Sequence, residues 1–232
     1  MLQLLAATIL LAGIQQPPQE KPAVGSGPQP SPTPISWELE FRYLSPRRIE
    51  VQLAGADEPE VYWYMLYTVV NNSSTTQYFY PTCELVAEDL RVIKTDMGIS
   101  PIVFNAIKQR HKLTHRYLVH PTKAIGELRT GEDYARESVA IWPAKELNVS
   151  SFDVYVAGLS GEARILRNPA YQPQQPETES VIGEDGREHE VAVNPKYFTL
   201  RKTLRLRYLL PASERARPGI EPELVAADWI MR

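Results

Sequence analysis

Hydrophobic and polar residues alternate with a period of two along several stretches of this chain. The first stretch carries its large apolar side chains at Trp37, Leu39, Phe41 and Tyr43. Since successive side chains of a strand point to opposite faces, the alternation predicts a strand with one buried face. Comparable patterns predict further strands at residues 49–53, 78–80, 85–94, 139–142, 152–157, 163–166 and 198–210, and a hairpin that turns at residues 184–186.

Residues 61–70 are apolar at almost every position rather than at alternate ones. The pattern places Tyr62, Tyr64, Leu66 and Val70 on one face and Trp63, Met65, Tyr67 and Val69 on the other. A strand that is covered by protein on both faces has this composition. We therefore expect residues 61–70 to form a central strand, which ends at the turn-forming run of Asn and Ser at residues 71–74.

One stretch follows the helical period instead. Ser100 is a good N-cap, Pro101 suits the first turn, and an apolar face continues as far as Arg110 through Val103, Phe104 and Ile107. A single short helix among many strands predicts a mainly β protein. The expected fold is an antiparallel β-sandwich with one short inserted helix.

The first 35 residues differ in composition from the rest of the chain. Residues 1–14 are largely apolar but too few to span a bilayer as a helix, which is typical of a signal peptide. Residues 15–35 contain seven prolines and many Gln, Ser and Gly residues, which indicates a disordered linker. We expect one enlarged β-sandwich domain at residues 36–232, in a protein that is exported to the periplasm or secreted and has no stable membrane span in its mature form.

The net charge limits the classes of partner, and the cysteine count limits the bonds that stabilise the fold. The formal net charge is −3, which argues against a nucleic-acid partner because such binding needs a basic surface. The single cysteine, Cys83, cannot form a disulfide within the chain, so the fold does not depend on one.

Several runs of sequence resemble a known class of domain. The run YWYMLYTVVNNSSTTQYFYPTCELVAEDLRVIK is similar to an early strand pair of immunoglobulin-like domains, and GEDYARESVAIWP, FDVYVAGLSGE and KTLRLRYLLP are similar to later strands. These are domains of uncharacterised exported proteins from planctomycete-like bacteria. The resemblance spans about residues 61–210 and lacks the paired cysteines of antibody domains. It implies an immunoglobulin-like fold and a cell-envelope setting, but no activity.

Three of the four histidines cluster at His111, His115 and His120, and they are weak candidates for metal ligands. On a helix, His111 and His115 would share a face and could bind zinc. However, Lys112 stands where a zinc-protease motif has its glutamate, and Thr114 favours a strand. The sequence therefore predicts no catalytic residue, no metal site and no cofactor, with these histidines as weak candidates.

Two other groups of side chains allow a functional and a structural interpretation. The cations Arg201, Lys202, Arg205 and Arg207 could form a patch for an acidic partner, or they could lie on the solvent face of an edge strand. The aromatic residues of the 61–70 strand could bind a carbohydrate, or they could belong to the core. The structural interpretation is favoured in both cases.

Together these patterns favour a non-enzymatic binding or structural module of the bacterial cell envelope, whose partner is an envelope protein or a glycan. Two alternatives stay open. One is an exported hydrolase or metal-dependent enzyme that uses His111, His115 and His120. The other is a carbohydrate-binding module, which would require Trp63, Tyr64 and Tyr67 to be exposed.

Overall fold

The computed structural model of the chain describes residues 25–26, 36–95, 99–143, 149–183, 186–213 and 217–232. It is 50% strand and 10% helix, which confirms the predicted mainly β fold with antiparallel sheets. The strands are β1 (Gly25–Ser26), β2 (Glu40–Tyr43), β3 (Arg47–Val51), β4 (Glu60–Val70), β5 (Gln77–Phe79), β6 (Thr82–Ala87), β7 (Val92–Lys94), β8 (Gly126–Leu128), β9 (Arg136–Pro143), β10 (Ser151–Ala157), β11 (Ala163–Arg167), β12 (Thr178–Ile182), β13 (Glu188–Ala192), β14 (Tyr197–Leu209) and β15 (Glu223–Met231). The helices are α1 (Pro101–Arg110) and α2 (Pro121–Ala124), with 3₁₀ turns at Glu132–Tyr134 and Arg217–Gly219.

Two larger sheets form the main part of the molecule. In the first, β4 pairs with β2 and then β3 along one edge and with β9 along the other, while β1 pairs with β2. In the second sheet, one edge of β14 pairs with β15, and the other edge pairs with β11 and then with β10. Strand β6 pairs with β10, and β7 pairs with β6 at the edge of the sheet. Two small sheets, β5–β8 and β12–β13, complete the pairing.

One hydrophobic core lies between the two larger sheets. The first sheet contributes Trp63, Met65 and Trp142 to this core, and the second contributes residues such as Phe152 and Leu206. Because both sheets supply alternate residues to a shared interior, the arrangement fits a β-sandwich.

A second core covers the outer face of the first sheet. Helix α1 begins where predicted, because the Ser100 hydroxyl accepts a hydrogen bond from the Ile102 amide at 3.3 Å. The buried face of the helix packs near the outward side chains of β4, including Tyr62, Tyr64 and Leu66. Strand β4 is therefore buried on both faces, as its unbroken apolar run predicts.

The structure corrects three details of the predicted elements. Residues 85–94 form two paired strands rather than one, because the chain turns back near Leu90, which adopts a φ of 67°. The short helix α2 follows His120, so the sheets carry two helices and not one. Strand β15, which no pattern predicted, pairs with β14 over most of its length.

The predicted signal-peptide segment, residues 1–14, lies outside the described residues. So does the predicted linker, residues 15–35, except for Gly25 and Ser26, which pair with Tyr43 and Arg42 of β2. Among the described residues, no helix has both the length and the apolar character needed to cross a membrane.

Candidate functional site

The candidate histidines do not converge on one point. His111 is buried at the end of α1, where its Nε2 lies 2.8 Å from the Tyr64 hydroxyl oxygen. The ring of His115 contacts that of His111, with 5.6 Å between centroids. His120 instead caps α2 by accepting a hydrogen bond from the Thr122 amide, and its ring packs on Phe104.

The environment of His111 opposes the bound cation that a metal site would require. Burial, together with the positive charges of the nearby His115, Arg47 and Arg110, lowers the pKa of this histidine to about 4. In the part of the chain that the structure describes, no group of three or more His, Cys, Asp or Glu side chains could hold a metal ion. The metal-dependent enzyme therefore stays a prediction, and no cluster of ligands among the described residues favours it.

Cys83 lies in the core between the two sheets, beside a small cavity of about 100 Å³. The residues that line this cavity are Tyr67, Pro81, Cys83, Thr95, Pro121, Thr122, Ile125, Val139 and Ala140. None of these is a base that could activate the thiol, so the cavity does not form a cysteine–histidine site.

The aromatic residues of β4 are not an exposed platform. Trp63, Tyr64 and Tyr67 are all buried, with exposed fractions of 5% or less. They face the two cores, so they cannot stack on a sugar ring. A carbohydrate site would need other aromatic residues.

Three cations of strand β14 each bind a different carboxylate. Arg205 forms two hydrogen bonds to the Asp228 carboxylate, at 2.6 and 3.0 Å, and Arg207 binds Asp153 in the same way. Lys202 points inward and forms an ion pair with Glu38. Because the part of β14 that carries Arg205 and Arg207 pairs with β10 on one side and β15 on the other, the edge-strand interpretation is wrong for these cations, and they do not form one open patch.

A cleft of about 650 Å³ lies beside β9. It is lined by Arg42, Thr68, Tyr117, Val119, Lys123, Glu132, Asp133, Ala135, Arg136 and Glu137. Arg42 is held by Glu132 and Glu40, which raise its pKa, and Arg136 donates to the Ala124 carbonyl oxygen at 2.8 Å. These lining residues could contact a polar ligand, but they bring together no activated nucleophile.

Residues 163–201 form a different kind of feature, which we call the arm. Its base, the stalk, consists of residues 163–168 and 196–201, where β11 pairs with the first part of β14. Its end is the hairpin of β12 and β13, whose strands pair with each other in a sheet of two. The predicted hairpin is thereby confirmed, although Glu184 and Asp185 of its turn lie outside the described residues.

A buried asparagine connects the stalk to the hairpin. The Asn194 side chain donates to the carbonyl oxygens of Gln172 and Gln175, at 2.8 and 3.1 Å, and accepts from the Gln172 amide. These bonds satisfy the polar groups of Asn194 and fix the loop that leads into β12. The arm is therefore an ordered element, although it lacks a core.

The arm exposes apolar side chains that a folded monomer would normally cover. All residues of β11, β12 and β13 are exposed. Ile182 is 80% exposed and Ile165 is 69% exposed. The exposed large hydrophobic residues of the arm are Ile165, Leu166, Val181, Ile182, Val191, Val193, Tyr197 and Phe198. The alternation at residues 198–210 predicted a strand here but could not show that its first part has no layer across it.

Comparisons with known proteins found no relative of the chain. No protein-family model, no curated protein and no solved structure matches the chain.

Proposed function

We propose that this chain is an exported, non-enzymatic interaction module of the bacterial cell envelope, periplasmic or secreted, and that the arm is its binding surface. One observation carries this proposal: eight large hydrophobic side chains are exposed on an element that has no core of its own. Monomeric proteins rarely expose a contiguous apolar patch larger than a few hundred Å², and larger patches mark interaction sites.

The physical state of the hairpin supports the same function. A hairpin of two strands is marginally stable in water, since it buries little apolar surface against the cost of ordering its backbone. The β12–β13 ladder has five residue pairs, and all of its residues are exposed. A partner that covers the hairpin would supply the missing burial.

The scaffold of this module is proposed to be an immunoglobulin-like sandwich. The two antiparallel sheets around a shared core support this assignment, as does the resemblance over residues 61–210. In such scaffolds, binding residues usually lie on connecting segments that a rigid framework positions. The arm interrupts the second sheet between β10 and the core part of β14, and it occupies such a position.

Site-specific photo-crosslinking in the producing cell tests this function. A photoreactive phenylalanine analogue is placed at position 182 or 198 of the arm, and at position 90 or 113 as controls. Leu90 and Leu113 are strongly exposed but lie outside the arm. We expect crosslinked adducts from the arm positions only. Equal adduct formation at all four positions, or none at the arm, would contradict the proposal.

A glycan-binding function is favoured by one separate observation. The rings of Tyr78 and Tyr80 are each 60% exposed and stack with an interplanar angle of 9°. Exposed aromatic faces are amphipathic surfaces of the kind that a carbohydrate partner could contact. Affinity electrophoresis in gels that contain soluble polysaccharides would compare the wild type with Tyr78→Ala/Tyr80→Ala and with the exposed control Tyr117→Ala. Loss of retardation in the double variant alone would support this second function, and no retardation of the wild type would contradict it.

A further inference from the structure

The stalk of the arm carries positive charge only. Its two segments contain Arg164, Arg167, Lys196 and Arg201, and they contain no Asp or Glu. All four cations are exposed. Arg164 pairs with Leu200 across the ladder and Arg167 pairs with Tyr197, so the two arginines lie on opposite faces of the stalk.

The hairpin carries the opposite charge. Among its described residues, the exposed carboxylates outnumber the exposed arginine, Arg187, by four to one; the carboxylates are Glu177, Glu179, Glu188 and Glu190. Glu179 pairs with Val191 and Glu190 pairs with Ser180, which places these two carboxylates on opposite faces. Each face of the hairpin therefore combines a negative charge with an exposed aliphatic residue.

These charges are not neutralised as the charges of the main sheets are. Within the described residues, no ion pair joins Arg164, Arg167, Lys196 or Arg201 to a carboxylate, and none joins Glu179 or Glu190 to a cation. By contrast, Arg205 and Arg207 each bind a carboxylate of a neighbouring strand. The arm thus presents a positive surface and a negative surface, and each also carries apolar residues.

We propose that the partner of the arm is a second copy of this chain, an inference that rests on the proposed interaction function. Two arms would lie side by side in opposite directions, so that the hairpin of each copy contacts the stalk of the other. The two ladders match in length, since each has five residue pairs. A two-fold axis then forms the same contact twice, which closes the assembly as a dimer.

The arm is large enough for this interface. A stable specific interface involves about 20–30 residues of each partner, and residues 163–201 comprise 39. Charge complementarity fixes the antiparallel arrangement, because parallel arms would bring hairpin against hairpin and stalk against stalk. The exposed aliphatic and aromatic side chains listed above would form the centre of the contact.

The oligomeric state of the full 232-residue chain is measured by sedimentation equilibrium. We expect a monomer–dimer equilibrium that weakens by about tenfold or more as NaCl rises from about 50 mM to about 500 mM, because salt screens the stalk–hairpin attraction. A chain that stays monomeric at concentrations up to about 100 μM would overturn the inference.

Charge reversal tests the arrangement itself. One variant replaces all four stalk cations by Glu, which makes the stalk acidic; the residues are Arg164, Arg167, Lys196 and Arg201. The other replaces the four hairpin carboxylates by Lys, which makes the hairpin basic; the residues are Glu177, Glu179, Glu188 and Glu190. Each variant alone should be monomeric, because its stalk and hairpin then carry the same sign. An equimolar mixture should form the heterodimer, since both stalk–hairpin contacts regain opposite charges. The variant with all eight substitutions should dimerise with itself, because its stalk and hairpin again carry opposite charges.

The outcomes separate this inference from the proposed function. Dimers of either reversed variant alone, or a mixture that stays monomeric, would overturn the antiparallel arrangement. Arm-specific photo-crosslinks to a different protein, together with a monomeric wild type, would overturn the second copy as partner and leave the interaction function supported. Circular dichroism and the Tm of each variant check folding, and recovery in the mixture requires that both variants are folded.

Discussion

Strand β14 runs through two different environments. Its later part, residues 203–209, lies between β10 and β15 with the first sheet across it, so Leu204, Leu206 and Tyr208 are buried. Its first part, residues 197–201, pairs with β11 and has no layer across it, so Tyr197 and Phe198 are exposed. The same continuous strand therefore supplies a core and a surface, and the difference depends on what packs over it.

The charges follow the same division. In the later part of β14, Arg205 and Arg207 bind carboxylates of the chain itself. In the first part, Arg201 is exposed, as are Arg164 and Arg167 of the paired strand β11. The comparison teaches that the arginines of β14 bind carboxylates where the first sheet covers the strand, whereas the described stalk arginines of the arm form no ion pair and are available to a partner.

A matched pair of leucine substitutions should show the largest contrast. Leu206→Ala should lower the free energy of unfolding by about 2–5 kcal/mol, because it leaves a cavity in the core. Leu166→Ala removes the same atoms from an exposed position of the stalk and should change that free energy by about 0.5 kcal/mol or less. Urea unfolding of the dilute, monomeric protein measures both. Equal losses would mean that the stalk is packed within the monomer.

The buried histidine should make the stability of the core depend on pH. The pKa of His111 is lowered to about 4 in the folded protein, whereas an unfolded chain has a histidine pKa near 6.5. Between these values the unfolded state binds the extra proton, so stability is highest above about pH 6.5 and falls as the pH decreases toward 4.

The loss that His111 causes should be at most about 3 kcal/mol. Chemical denaturation at several pH values between 4 and 7 measures it. His111→Gln keeps a neutral polar side chain near Tyr64, so the decrease in that variant should be smaller than in the wild type. Parallel pH profiles for the two proteins would contradict the assignment to His111.

An arginine pair gives a smaller contrast. Arg205→Gln breaks the hydrogen bonds to Asp228 and should lower the free energy of unfolding by up to about 1 kcal/mol, since the ion pair is partly exposed. Arg164→Gln should leave that free energy unchanged but reduce association, because its side chain has no carboxylate partner among the described residues. If the two substitutions lower the free energy of unfolding of the monomer equally, the proposal that the arm binds a partner is contradicted.

Removal of the hairpin is the largest change in sequence, and it should have little effect on the thermal stability of the monomer. Replacement of residues 169–195 by a two-residue Asn-Gly turn removes the hairpin and closes the stalk. Since all residues of β12 and β13 are exposed, we expect the Tm of the dilute protein to change by no more than about 2 °C. A large decrease would show that the hairpin supports the two main sheets.

Local patterns in the sequence predicted the positions of strands and of helix α1 well. They predicted poorly which other elements pack against them. The alternation of β10 correctly indicated Phe152, Val154 and Val156 as its buried face, and Ser100 correctly indicated the start of α1. These predictions succeed because side-chain period and capping are local properties.

What failed depends on distant parts of the chain. The apolar residues at positions 198 and 206 occupy equivalent places in one alternating pattern, yet only Leu206 is covered by the first sheet. The histidines at 111 and 120 are close in sequence, but the turn after α1 directs them to Tyr64 and Phe104 respectively. Strand pairing and layer packing decide both outcomes, and neither is encoded in a short window.

Hydrogen exchange of the wild-type chain at two concentrations tests the central claim most directly, which is that a second copy of the chain covers the arm. In dilute solution, amides of the hairpin should exchange quickly, while those at residues 204–208 stay protected. At a concentration where dimers form, protection of the hairpin amides should rise by about tenfold or more, and that of residues 204–208 should hardly change. A hairpin that is equally protected at both concentrations would contradict the account.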